Sequence, residues 1–303
     1  MSSQRPQPVL MDMPKHILEK IIEGTGDFKE RLPLRQVSRP FRHIIDRLPL
    51  HLQHLTLWIN KNSIEFSIVF ENNFSIFSKK FEKDPSAPLN FNDLAARDLL
   101  IFIDNRRLKI DILKVHSNSE NEEFLKILFG AKNNSNFALK TKEISLYQKG
   151  TPPLEFFDFL DKKSLKSINI QSEKSIDSEI FDKNFFEKFE NVKNLDINTL
   201  ETPILIGKLR KFENLVFEVE KIEVEDFEQI LKHFIHSSSI RSYRILCANI
   251  DRNPLISLLE TADLKMVDGK TFRREFQNLK NPTASFAVTV YSTTIEFSRI
   301  RKY

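Results

Sequence analysis

Cysteine and glycine are both scarce in this 303-residue sequence, which contains one cysteine and six glycines. The single cysteine, Cys247, excludes an internal disulfide framework and indicates a reducing compartment. Few glycines leave few loops whose backbone amides could wrap a phosphate. Gly24 and Gly26 form the only close pair and lack the third glycine of a dinucleotide-binding motif. We interpret that pair as the end of a helix.

Long apolar runs are also missing from the sequence. No run approaches the eighteen or so apolar residues that would span a membrane, and residues 1–14 lack the apolar core of a secretion signal. We therefore expect an intracellular protein, cytoplasmic or nuclear or both, with no membrane partner. The net charge of +4 is small, and the basic pairs are scattered rather than clustered, so we expect no nucleic-acid partner either.

Residue patterns that would support catalysis are equally sparse. The sequence contains no nucleophile elbow, Walker loop, zinc-protease motif or calcium loop. The pairs His51/His54 and His233/His236 have ligand spacing on a helix, but neither has a cysteine nearby and a zinc ion would need a third ligand. Cys247 ends an apolar stretch without a base beside it, which is typical of a buried thiol. We therefore predict a protein without catalytic residues, metal or cofactor.

The first fifty residues contain more apolar side chains than three short helices can bury among themselves. Pro14 follows the capping candidate Asp12 and suits the start of a helix, and Gly24 suits its end. Apolar residues recur at helical spacing in three successive segments: Ile17, Leu18, Ile21 and Ile22; Leu32, Leu34 and Val37; Phe41, Ile44, Ile45 and Leu48. Because so short a segment cannot form a large core, part of this surface is expected to face another protein.

This segment resembles an F-box. The family pattern of Leu-Pro, paired aliphatics, Leu, Arg-x-Val-Ser, aromatic-Arg and paired aliphatics corresponds to Met13-Pro14, Ile17-Leu18, Ile21-Ile22, Leu32, Leu34-Arg35, Val37-Ser38, Phe41-Arg42 and Ile44-Ile45. Met13 replaces the usual leucine, and Phe41 stands where many members have tryptophan. The plainer alternative is a three-helix cap on the following domain, which the ordered combination of motifs disfavours.

The F-box resemblance implies binding to the Skp-type adaptor of a cullin–RING ubiquitin ligase. The adaptor-binding residues are then drawn from Pro14, Ile17, Leu18, Ile21, Ile22, Leu32, Leu34, Val37 and Phe41. The sequence alone does not separate the residues that would face the adaptor from those that pack within the three helices.

The rest of the chain alternates between strand and helix patterns. Three strand patterns follow the helices within residues 51–90, and a helix is expected over Phe91–Asp104. A recurring apolar-x-x-apolar-x-apolar pattern then appears with the spacing of leucine-rich repeats, at Leu165/Ile168/Ile170, Val192/Leu195/Ile197, Phe212/Leu215/Phe217 and Ile240/Tyr243/Ile245, with weaker copies at Ile144/Leu146 and Leu264/Met266. Helices are expected between these strands, and a terminal hairpin over Ala284–Ile300.

These patterns predict an α/β fold. A three-helix F-box at residues 10–50 would be followed at 51–303 by an irregular, leucine-rich-repeat-like β/α arc, with a β-meander at its start (51–90) and a terminal hairpin. The asparagine or cysteine that closes each repeat in the leucine-rich consensus is replaced, so the arc is expected to be irregular. Stacked units would share one core and one parallel sheet.

Together with the F-box, the body of the chain resembles the FTH domain of the nematode F-box A family, best over Lys221–Ile245. The resemblance implies a substrate receptor: the F-box would bind the adaptor and the second domain an unknown target protein. The alternative is a non-degradative interaction scaffold. An acidic run formed by Glu218, Glu220, Glu223, Glu225, Asp226 and Glu228 could attract a basic target, although a solvated turn before a helix is the plainer interpretation.

Overall fold

A single mixed β-sheet dominates the computed structural model of the chain. The structure describes residues 13–25, 28–70, 76–86, 90–103, 105, 107–118, 122–133, 138–149, 154–176, 185, 188–200, 212–259, 265–266, 271–277 and 285–300. Within them the strands are β1 (Leu50–Asn60), β2 (Ser63–Phe70), β3 (Ile76–Glu82), β4 (Leu108–Ser117), β5 (Lys140–Gln148), β6 (Ser167–Ser172), β7 (Asn194–Leu200), β8 (Asn214–Lys221), β9 (Ser242–Asn249), β10 (Lys265–Met266), β11 (Phe272–Gln277), β12 (Ser285–Val290) and β13 (Thr294–Ile300).

The sheet has a parallel centre and antiparallel flanks. Its 13 strands lie in the order β10-β11-β12-β13-β9-β8-β7-β6-β5-β4-β1-β2-β3. Strands β1, β4, β5, β6, β7, β8 and β9 are parallel to one another. On one side β1, β2 and β3 pair antiparallel, and on the other β9, β13, β12, β11 and β10 do the same. A connected ladder of backbone hydrogen bonds therefore runs across the whole molecule.

The helices are dispersed along the chain. They are α1 (Lys15–Gly24), α2 (Phe28–Val37), α3 (Arg39–Ile45), α4 (Phe91–Ile103), α5 (Glu122–Asn133), α6 (Val224–His236) and α7 (Arg252–Leu259), with one 3₁₀ helix at Leu154–Phe159. Local chemistry explains the start of α3, where the hydroxyl of Ser38 accepts a hydrogen bond from the Phe41 amide at 3.3 Å and Pro40 occupies the first turn. The predicted helices Glu179–Phe189 and Pro203–Leu209 fall wholly or largely outside the described residues.

Helices pack against one face of the sheet through aromatic side chains. Phe102 of α4 contacts Phe66 of β2, with ring centroids 6.1 Å apart. Phe234 of α6 contacts Tyr243 of β9 and Phe297 of β13 at 5.7 and 5.5 Å. Side chains alternate between the two faces along a strand. Each apolar residue on the helix-covered face is therefore followed by a residue whose side chain lies on the opposite face.

The predicted fold class is wrong. One long mixed sheet with helices dispersed along the chain replaces the predicted three-helix F-box and leucine-rich-repeat-like arc. The meander is part of that sheet, because β1 pairs with β2 on one side and β4 on the other. The terminal hairpin joins it through β13 and β9. The first three helices form no separate bundle either, since Leu18, Ile22 and Ile45 belong to the same buried cluster as the sheet. Apolar spacing identifies the buried face of a strand but not the strand beside it.

Candidate functional site

The predicted adaptor-binding residues separate into exposed and buried groups. Pro14, Ile21 and Val37 are exposed and Ile17 and Leu34 are half-buried. Three others are buried in the core, namely Leu18, Ile22 and Phe41. The side chain of Leu32 lies outside the described part of the chain. Only the exposed and half-buried residues can therefore contribute to a surface.

The exposed apolar side chains are concentrated near the start of the chain. Among the described residues, six large apolar side chains are exposed, and three of them are Met13 (42%), Ile21 (41%) and Val37 (68%). We name these three the N-terminal apolar surface. An ion pair connects α2 to the end of α3. The Arg35 guanidinium donates from Nε and Nη2 to the Asp46 carboxylate at 2.6 and 3.1 Å. A two-point contact of this kind orients α2 relative to the end of α3.

A second candidate surface lies on the face of the sheet opposite the helices. On β5–β8 this face comprises thirteen positions, which we name the polar sheet face: Glu143, Ser145, Tyr147, Ser167, Asn169, Gln171, Asn194, Asp196, Asn198, Asn214, Val216, Glu218 and Glu220. All of them except Ser145 are half-buried or exposed. Four of these thirteen positions carry a carboxylate and none is a lysine or arginine, and the exposed Lys140 and Lys142 precede them on β5.

A row of stacked aromatic rings borders the polar sheet face. The ring of His116 on β4 lies between Trp58 on β1 and Tyr147 on β5, with centroid distances of 5.7 and 4.6 Å and interplanar angles of 15° and 6°. Burial lowers the pKa of His116, and the charge of Lys114 lowers it further. The imidazole is therefore neutral at neutral pH, which suits stacking between two uncharged rings.

A pocket of about 270 Å³ opens beside this row, at the carboxyl ends of the parallel strands. Its walls include the rings of His116 and Tyr147 and the amide side chains of Gln171 and Asn198. The amide of Asn198 already binds the backbone of Ser172, accepting from its N–H at 2.7 Å and donating to its carbonyl at 3.4 Å. The pocket therefore has walls fixed by stacking and hydrogen bonds, as is typical of preformed binding sites.

Asp196 is the charged residue at the centre of the polar sheet face. Its neighbours in register are Asn169 on β6 and Val216 on β8, and neither carries a charge. Burial raises the pKa of the Asp196 carboxyl, and the positive charge of Arg244 only partly opposes that effect. The Arg244 guanidinium is itself paired with Glu296 at 3.4 Å. The surroundings of Asp196 therefore disfavour its ionised form.

The Asp196→Asn variant is expected to be more stable than the parent at pH 7. Because the folded pKa is raised, ionisation of Asp196 costs stability as the pH rises through the carboxyl range, and asparagine removes that cost. The difference in melting temperature should shrink below about pH 4, where the carboxyl is protonated in both states. Thermal unfolding of the parent and the variant at pH 7 and pH 3.5 measures this difference in melting temperature.

Glu228→Gln serves as the control for that measurement. Glu228 pairs with Lys232 at 2.7 Å on the surface of α6, so its loss should lower the stability slightly. A lower melting temperature for Asp196→Asn than for the parent at pH 7 would contradict the prediction.

The two histidine pairs face separate partners. His51 Nε2 lies 3.1 Å from Asp111 Oδ1, whereas burial and the charge of Lys114 lower the pKa of His54. His233 lies beside the ring of Tyr243 at 6.5 Å, and His236 Nδ1 donates to the Lys232 carbonyl at 2.6 Å. Within the described ranges no three His, Cys, Asp or Glu side chains form a group that could hold a metal ion.

Cys247 is buried, and its thiol donates weakly to the carbonyls of Glu220 and Asn249 at 3.5 and 3.3 Å. Burial raises the pKa of the thiol, which suppresses the reactive thiolate. None of the helices that the structure assigns is both long and apolar enough to cross a lipid bilayer.

Comparison with known proteins adds no assignment to this geometry. No model of a known protein family matches the chain, and no protein of curated function is significantly similar to it. The candidate surfaces are therefore defined by the sequence and the structure alone.

Sequence reasoning missed the polar sheet face, although a signal was present. The central row of that face, which includes Ser145, Asn169 and Asp196, occupies the single position between the last two apolar residues of each repeated pattern. In the repeated sequence pattern these positions are only spacers between apolar residues. Their side chains come together only when the strands are placed side by side in register.

Proposed function

We propose that the chain is the substrate-receptor subunit of a Skp–cullin–F-box ubiquitin ligase, and that residues 13–48 bind the Skp-type adaptor. The observation that carries the proposal is the exposure of Ile21 and Val37, at positions where the sequence resembles the F-box pattern. Large apolar side chains are costly to leave in water unless a partner covers them. The resemblance identifies the adaptor as that partner.

The proposed contact involves a subset of the residues named from the sequence. Ile21 and Val37 would be its apolar anchors, and the exposed Pro14 and the half-buried Ile17 and Leu34 would contribute smaller contacts. The buried Leu18, Ile22 and Phe41 would support the helices from beneath. Interfaces of this kind concentrate their binding energy in a few apolar anchors surrounded by weaker contacts.

The proposed mechanism is proximity. A receptor that binds both the ligase and a target raises the local concentration of target lysines near a ubiquitin-loaded enzyme. The bond-forming chemistry then belongs to other subunits, so the receptor itself requires no catalytic group. Such a receptor works in the cytoplasm or the nucleus, where the ligase and its targets meet.

Charged substitutions at the two anchors test the proposal. Ile21→Asp and Val37→Asp should each weaken binding to the purified adaptor about 30-fold, because each loses apolar contact and buries a charge in the interface. Both side chains are exposed, so folding should be preserved, as circular dichroism can check. Titration calorimetry with the adaptor gives the affinities.

Leu258→Asp provides the matched control, since Leu258 is similarly exposed (38%) but lies on α7. It should bind the adaptor as the parent does. The proposal would be refuted if the parent did not bind the adaptor, or if both N-terminal variants bound it as tightly as the parent does. Adaptor binding without ubiquitylation of any co-purified partner would instead identify a non-degradative scaffold.

A further inference from the structure

The polar sheet face combines features that no other described surface of the chain shares. It lies on the side of the sheet opposite the packed helices, it borders a stacked aromatic row, and it contains a pocket large enough for one side chain. Tyrosine and tryptophan are the residue types most enriched at the centres of protein interfaces. These features suit contact with a macromolecule.

We propose that the polar sheet face binds an extended, basic protein segment, with a lysine or arginine side chain placed against Asp196 and Glu218. If the chain is a ligase receptor as proposed above, this segment belongs to the target protein. The inference about the partner's chemistry rests on charge complementarity and on the shape of the face, and it does not require the adaptor.

Charge selects a basic partner. Glu143 lies on β5, Asp196 on β7, and Glu218 and Glu220 on β8, whereas the positions of this face on β6 carry no charge. The cations on these and the flanking strands include Lys109 and Lys114 on β4, Lys140 and Lys142 on β5, and Arg244 on β9. Lys142 is paired with Asp111 and Arg244 with Glu296, and β6 separates the four lysines from Asp196. The charge of Arg244 offsets that of Asp196 only in part. A cation supplied by a partner would therefore meet carboxylates that the described residues compensate incompletely.

The hydrogen-bonding capacity of the polar sheet face also favours a basic partner. The side-chain oxygen of Asn169, directly across from Asp196, has no donor within reach among the described residues. Lysine and arginine carry several donors and no acceptor, so they match a surface with an excess of acceptors.

The shape of the face favours an extended segment. The row of Tyr147, Gln171 and Asn198 and the row of Ser145, Asn169 and Asp196 run across the strands, side by side. An extended chain that follows these rows could place one side chain in the pocket beside Tyr147 and another over Asp196. A segment that is disordered before binding would pay its ordering entropy only once bound.

The test selects partners without assuming their identity. A library of random twelve-residue peptides displayed on yeast is sorted for binding to the full-length parent protein. The enriched peptides are expected to carry a net positive charge and at least one lysine or arginine in common register. Their affinity should fall about 10-fold or more in Asp196→Asn and should weaken as salt is added.

Glu228→Gln is the matched control, because it removes one carboxylate from α6 on the helix-covered side of the sheet. It should bind the selected peptides as the parent does. Because Asp196→Asn is expected to be at least as stable as the parent, loss of binding in that variant cannot be attributed to unfolding. A residue with a merely structural role would not combine higher stability with lost binding.

Three outcomes would overturn the inference. These are the absence of any enriched peptide, enrichment of acidic or uncharged peptides, and equal binding of the selected peptides by the parent and Asp196→Asn. The Ile21→Asp variant separates this inference from the adaptor proposal: it should lose the adaptor but keep the selected peptides. Failure of adaptor binding and failure of peptide binding are thus observed in different experiments.

Discussion

Replacing Phe234 with alanine is expected to lower the free energy of unfolding by about 3–5 kcal/mol, the largest effect we predict for a single substitution. Phe234 is 3% exposed and places its ring within 4.9–5.7 Å of three others, those of Tyr243, Phe286 and Phe297. These three rings belong to β9, β12 and β13. Alanine would leave a cavity where α6 packs against both the parallel centre of the sheet and its antiparallel flank.

Urea denaturation followed by circular dichroism measures the loss. Phe276→Ala is the matched control, because Phe276 is only half-buried and its ring stacks on Phe286 at 5.1 Å with Arg274 over its face. The control should lose less than half as much stability. A loss below about 1 kcal/mol for Phe234→Ala would show that the core around α6 is not packed as described.

The second large effect is expected at Asn105, which is 3% exposed and connects the N-terminal helices to the sheet. Its side-chain nitrogen donates to the Leu48 carbonyl at 3.0 Å, and its oxygen accepts from the Arg107 amide at 2.9 Å. Asn105→Ala would leave the Leu48 carbonyl without a partner, and a buried polar group left unpaired costs about 1–3 kcal/mol.

Asn105→Asp tests the same contact with almost no change of shape. At pH 7 its carboxylate would face the Leu48 carbonyl, acceptor against acceptor, so this variant should be less stable than Asn105→Ala. Its folded pKa should be raised, and stability should therefore return as the pH falls and the carboxyl regains a proton to donate. Denaturation at pH 7 and pH 4 measures the recovery, with Asn62→Asp at an exposed position as control. Equal loss at both pH values would contradict the assigned hydrogen bond.

Several elements could be predicted from local pattern. The helix expected over Phe91–Asp104 is present as α4, and the helix expected over Val224–His236 is present as α6 with those bounds. In each case the apolar spacing lies within one helix, and for α6 acidic residues occupy the first turn and histidines the last. These determinants are local, so the sequence displays them directly.

The candidate surfaces could be predicted only in part. The sequence singled out the N-terminal residues as a set but could not divide Ile21, which is exposed, from Ile22, which is 1% exposed. The acidic run was identified, yet its members have different positions: Glu218 and Glu220 lie on the polar sheet face, whereas Glu225 and Asp226 lie in the first turn of α6. Adjacent residues point to opposite faces of a strand, and on a helix they point in directions about 100° apart.

What the sequence determined by itself is the local part of this protein: where apolar residues recur with period two or three to four, where helices begin, and which known motifs it does not contain. The tertiary structure decided which strands are neighbours, and so that one sheet of 13 strands replaces the expected arc. It also decided that Asp196 lies half-buried without a charged neighbour in register. The physical reason is that local periodicity follows from backbone geometry, whereas strand pairing and burial depend on contacts between residues far apart in the chain.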